Sequence, residues 1–102
     1  MATKGIEITH HGSEARGEYR AKVPGSEAIG RLTWFARGDA RITDHTLVPP
    51  EIGGRGVAAA LVDALIADAR SEGFRIVPQC SYVDAQFRRH PEWADLLAET
   101  PS

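Results

Sequence analysis

The sequence predicts an α+β fold: a four-stranded antiparallel meander, one βαβ crossover to a parallel fifth strand, and short C-terminal helices. Three observations predict it. The first 48 residues alternate apolar and polar side chains in short stretches broken by turn residues. One long helical pattern follows, with its apolar residues on one face. The short apolar run Phe74 to Pro78 comes after that helix, and a strand–helix–strand order favours a right-handed crossover with parallel strands.

The first strand spans Lys4 to His11, centred on Ile6 and Ile8, and Gly12-Ser13-Glu14 turns the chain. The second spans Ala15 to Val23, with Tyr19, Ala21 and Val23 alternating against charged neighbours. Pro24-Gly25 is a strong turn signal. The third strand spans Ala28 to Ala36, placing Leu32 and Trp34 on one face and Ile29, Thr33 and Phe35 on the other. Arg37-Gly38-Asp39 reads as a tight turn rather than an adhesion tripeptide, and Ala40 to Val48 as the fourth strand. The helix is expected from Arg55 to Glu72, roughly 27 Å long, with Val57, Ala58, Leu61, Val62, Leu65 and Ala69 inward. Asp68 falls at the margin of that stripe and has no role in the pattern. Gly73 ends the helix. Two further helices are expected over Tyr82 to Arg89 and Pro91 to Ala98, with Pro91 in a first turn. Trp34 and Trp93 are expected in the core.

Composition fits one globular domain over residues 1–102, with its core at about 6–97: 42% of residues are hydrophobic and 25% charged. The net charge of −2 offers no bulk attraction to nucleic acid or anionic membrane. No apolar run approaches the ~20 residues that span a bilayer, and Met1 to Gly5 carries no signal-peptide pattern. A single cysteine, Cys80, excludes an internal disulfide and agrees with a cytoplasmic location. His10, His11, Cys80 and His90 have no metal-ligand spacing, so no metal is expected.

The chemistry is concentrated at Val48-Pro49-Pro50-Glu51-Ile52-Gly53-Gly54-Arg55-Gly56-Val57-Ala58. A strand stops at two prolines, passes a glycine-rich turn and enters an alanine-rich helix. Such a turn leaves main-chain N–H groups aimed outward at a positive helix end, and glycines let a phosphate come close. A Walker loop is excluded because no lysine follows the glycines, and a dinucleotide fingerprint because its third glycine is missing. What remains, Gly54-x-Gly56-x-Ala58, resembles the pyrophosphate-binding motif of the GNAT superfamily of acyl-CoA-dependent N-acetyltransferases.

Further motifs extend the resemblance over residues 6–97: Asp44-His45-Thr46-Leu47-Val48-Pro49, Val77-Pro78-Gln79-Cys80-Ser81-Tyr82-Val83 and Arg89-His90-Pro91-Glu92-Trp93. Together they are similar to the small single-domain predicted acetyltransferases of that superfamily. The helices that usually shape the acceptor site at the amino-terminal side are missing from this pattern. The resemblance implies acetyl-CoA as co-substrate, lying between splayed fourth and fifth strands. Main-chain groups of Leu47 and Val48 would pair with its pantetheine, and the N–H groups of Ile52, Gly53, Gly54, Arg55, Gly56 and Val57, next to Ala58, would hold the pyrophosphate. Glu51 departs from the superfamily, which usually has Gln or Arg there.

Acetyl transfer to an amine needs a base, donors that polarise the thioester carbonyl, and an acid for the leaving thiolate. Cys80, just after the fifth strand, is either an acyl-carrying nucleophile or cofactor contact, or a small buried apolar residue. His45 either takes a proton from the acceptor or activates Cys80, or simply bonds backbone at a sheet edge. Tyr82 is a candidate acid, although its place relative to Ala85 differs from the superfamily tyrosine. Arg88 and Arg89 either reach the 3′-phosphate of CoA or form a solvated face. The expected partners are acetyl-CoA and an unidentified amine, with no nucleic acid and no membrane, in a monomer or weak homodimer. The alternative is a non-catalytic acyl-CoA-binding or sensing module.

Overall fold

A computed structural model describes residues 5–98. Five strands form one sheet in sequence order: β1 (Glu7–Gly12), β2 (Arg16–Lys22), β3 (Ile29–Arg37), β4 (Ala40–Leu47) and β5 (Arg75–Pro78). β1 to β4 are antiparallel neighbours, and β5 pairs with β4 in parallel. The helix α1 (Val57–Glu72) joins β4 to β5, and α2 (Ser81–Arg89) follows β5. The predicted class and all five strands are therefore observed, with ends displaced by a few residues. The predicted start of the first strand at Lys4 lies outside the described residues.

Alternation decides which face of the sheet is covered. Tyr19, Ala21, Leu32 and Trp34 are buried and pack with Leu61, Val62 and Leu65 of α1 in one core cluster. Each large apolar side chain so buried contributes about 1.5–3 kcal/mol. Gly30 lets α1 approach, because a Cβ there would lie 2.8 Å from Val57 Cγ1. The amino end of α1 is thus seated directly on β3. Ala60 and Ile66 are also buried, whereas Ala58 is only half-buried, so the inward stripe is displaced from the predicted one.

Asp68 has its explanation here. Its carboxylate accepts a hydrogen bond from the Tyr19 hydroxyl at 2.7 Å, and Arg41 donates to the same hydroxyl at 3.3 Å. The Arg41 guanidinium lies between the rings of Trp34 and Phe74, 4.0 and 3.9 Å from their centroids. A polar side chain at the margin of the apolar stripe thereby fastens α1 to β2.

Four features differ from expectation. Pro50–Ile52 forms a 3-10 turn before the glycines, and α1 begins at Val57 rather than Arg55. The segment expected as a helix over Pro91 to Ala98 is a 3-10 helix, Pro91–Leu96, whose Trp93 and Leu96 are buried. Leu97 then bridges Ile76 in parallel, adding a short contact beyond β5. A bulge between Thr33 and Trp34 in the β3–β4 register leaves Asp44 as the extra residue on β4.

Candidate coenzyme site at the β4–β5 splay

β4 and β5 stay paired only from Ala40↔Arg75 to Thr43↔Pro78. Pro78 can donate no ladder bond, and the Gln79 N–H turns back onto the Val77 carbonyl at 3.0 Å. The Cys80 N–H makes a last bond to the Thr43 carbonyl at 2.8 Å. Beyond it, Asp44 to Leu47 have β3 on one side and no strand on the other. An open strand edge is thus placed beside the start of α2. Leu47, at its end, is 62% exposed, and Val48 is half-buried.

The glycine turn lies just past this edge. Pro49 and Pro50 end the ladder, and the Ile52 and Gly53 N–H groups bond to the Pro49 and Pro50 carbonyls, each at 3.1 Å. Those two predicted donors are therefore spent, and the fully buried Ile52 anchors the turn in the core. Gly54 and Gly56 have φ of +76° and +78°, a conformation that favours glycine. From Gly54 through Ala59, no N–H bonds to a protein acceptor among the described residues; the first helical bond is Ala60 N–H to the Gly56 carbonyl at 3.0 Å. Gly56 caps the helix without a side chain. The result is a bare cluster of donors at the positive end of a 16-residue helix, which suits a diphosphate. Arg55 and Glu51 are both exposed beside it.

Cys80 occupies the position just before α2, half-buried. Burial pushes its thiol up, but opposing hydrogen bonds prevail. They come from the Thr46 hydroxyl, 3.3 Å from Sγ, and from the main-chain groups of Val83, Tyr82 and Thr46. The net shift is downward, as expected for sulfur at a helix amino end.

His45 is not part of this cluster. Thr46 Oγ1 contacts Cys80, whereas His45 pairs with Thr33 and is exposed, lining a hollow with Arg31, Thr33, Thr46 and Leu47. No hydrogen bond joins His45 to Cys80 among the described residues. The partner that sequence reasoning missed is Thr46. The quoted motif contains it, but only the β4–β5 pairing reveals its contact with Cys80.

Tyr82 is half-buried, and burial together with Asp63 of α1 raises its phenol above the ordinary value, against the opposing charge of Arg89. Arg88 is ion-paired with Asp84 at 3.0 Å, leaving Arg89 as the exposed arginine near Tyr82. Among the described residues, no group of three or more His, Cys, Asp or Glu side chains could hold a metal, and no helix is long and apolar enough to cross a membrane.

A strand that parts from its parallel neighbour beside an uncapped helix is the decisive arrangement, and the family model for GCN5-related N-acetyltransferases matches residues 18–96. The chain belongs to that family. Its members use acetyl-CoA as co-substrate. The fold is also similar to the NMR solution structure of a GCN5-like candidate N-acetyltransferase from Staphylococcus aureus. That similarity has a TM-score of 0.68 and 23% identity, covering 96% of this chain and 93% of the other. At that identity it bears on the fold alone.

Proposed function

We propose that this GCN5-related family member is a cytoplasmic, acetyl-CoA-dependent N-acetyltransferase acting on an amine. The observation that carries the reading is the uninterrupted run of free main-chain donors from Gly54 to Ala59, set beside the unpaired edge of β4. Those donors would hold the pyrophosphate, with Arg55 and Arg89 on the solvent side. Main-chain groups of Leu47 and Val48 would bind pantetheine as an added strand, an arrangement like β-augmentation.

In the reaction, the amine nitrogen attacks the thioester carbonyl, the new C–N bond forms, and the C–S bond breaks to release CoA thiolate. The chain must then take one proton from the amine and give one to the thiolate. His45, exposed on β4 beside the hollow with Arg31 and Leu47, would take the first from an incoming acceptor. Tyr82, with its phenol held neutral by burial, is the donor for the second. Cys80 lies at the reacting end, with its sulfur held by Thr46 and the amino end of α2. Because no imidazole adjoins Cys80, direct attack by the amine is favoured over an acyl-cysteine relay.

Calorimetric titration with CoA and acetyl-CoA tests binding; no heat at millimolar ligand removes the reading. Labelled acetyl-CoA with a panel of amines tests turnover. Binding without transfer to any amine identifies a non-catalytic acyl-CoA-binding module instead. Label retained on the protein and lost in Cys80→Ala restores the covalent route.

A further inference from the structure

The sheet face opposite α1 carries a track that the coenzyme site does not use. A groove of about 610 Å³ crosses β2 and β3, bounded by Arg16, Glu18, Arg20, Phe35 and Asp44 among others. The hollow at Arg31, His45 and Leu47, about 360 Å³, adjoins it, because Thr33 lines both. The track therefore ends where β4 parts from β5.

Its charge runs against that of the chain, which is −2 overall. Glu18 is shared between Arg20 and Arg31, 2.6 Å from the latter, so that triad keeps one positive charge in excess. Arg16 is exposed and has no ion-pair partner among the described residues. Asp44 is the one carboxylate on the track without a cation among the described residues; it accepts a 2.6 Å hydrogen bond from Thr33 Oγ1, on β4 just past the last pairing with β5. Phe35, 36% exposed and paired with Arg16 across the β2–β3 ladder, offers an apolar surface beside that arginine.

We infer that this track docks the acceptor, and that the acceptor is an amine carried on an acidic polypeptide segment. The inference rests on the acyltransferase reading above. The amine is received at Asp44, and acidic side chains lie on Arg16 and the Arg20–Arg31 pair. A nucleic acid has no cation to place on Asp44, and a basic peptide satisfies Asp44 but opposes the guanidinium groups. Only a mixed segment of amine plus acids satisfies both ends.

Fluorescence anisotropy without acetyl-CoA tests this on the intact protein. The probes are a labelled peptide with one lysine among glutamates, its counterpart with arginines in place of the glutamates, and single-stranded oligothymidine. The acidic peptide is expected to bind best and to weaken as salt is raised. Arg16→Glu should weaken it about fivefold, the equivalent of one surface pair, and Arg16→Gln by less in the same direction. Far-UV circular dichroism and the unfolding midpoint of both variants report an intact fold. Equal or tighter binding of the basic peptide or the oligonucleotide, indifference to Arg16→Glu, or no binding of any probe overturns the inference. Since coenzyme is absent from the assay, failure of CoA binding would strike the acyltransferase reading separately.

Discussion

The sulfur of Cys80 is stabilised by a hydroxyl and by main-chain N–H groups, not by a neighbouring base. Thr46→Val keeps the shape of the side chain and removes the hydroxyl hydrogen bond to Sγ. Iodoacetamide should then alkylate Cys80 several-fold more slowly at neutral pH, since the thiolate is the reacting form; an unchanged rate would show that the α2 amino end alone sets the thiol. Gly54 provides a second test at this scale. Its φ is +76° and a Cβ there would meet nothing within 4 Å, so Gly54→Ala costs only the left-handed backbone term of about 1 kcal/mol in stability. The added methyl stands in the open space beside the free N–H groups that a phosphate must enter, so CoA affinity measured by calorimetry should fall about tenfold, the value of one hydrogen bond to a charged group.

Elements respond to their neighbours, and β1 is tied to the core through His10. The Trp34 indole donates to His10 Nε2 at 3.1 Å, so that nitrogen must be unprotonated. Burial, and then the Arg41 guanidinium, lower the His10 pKa below 6.5; Asp68 and Glu72 oppose this, and His11 assists. The sign follows from linkage. Below pH 6.5 the unfolded chain takes up a proton that the folded chain refuses, so stability is full above that pH and falls as pH drops through the folded value. Urea midpoints should therefore decline between pH 7 and 5, modestly because His10 is partly exposed, and His10→Gln should flatten that decline. The strands and α1 were legible because alternation, turn glycines and 3.6-residue periodicity are local signals. The bulge at Asp44 was not, because it arises from pairing between β3 and β4, and neither was the Thr46 contact with Cys80, which forms only where β4 meets the start of α2. The 3-10 geometry of Pro91–Leu96 was also hidden. Its inward residues, Trp93 and Leu96, fit either helix type, and the Arg70 contacts to the Glu92 carbonyl and Asp95 come from α1.

At the scale of the molecule, the proposed coenzyme cradle and the core share one element. α1 packs on β1, β2 and β3 and presents the free donors at its amino end. The radius of gyration, 13.2 Å, is that of a compact chain of this length, so ligand binding at α1 should stabilise the whole fold cooperatively. The glycine turn was readable because its residues are contiguous. The acceptor track was not, because Arg16, Arg31 and Asp44 come from three strands and meet only on the assembled face. The linkage gives a quantitative test. CoA at a hundredfold excess over its dissociation constant adds about 2.7 kcal/mol, and a domain this small gains about 4–8 °C per kcal/mol. The unfolding midpoint should rise by about 10 °C or more and continue to climb with CoA concentration. Gly54→Ala, with a tenfold weaker affinity, should lose about half of that rise at the same CoA concentration. Thr46→Val should keep it, because Thr46 faces the sulfur of Cys80 rather than the donors at Gly54 to Ala59. If both variants lose the rise equally, coenzyme binding depends on the whole splay rather than on the helix end. A rise undiminished in Gly54→Ala would place the diphosphate away from the glycine turn.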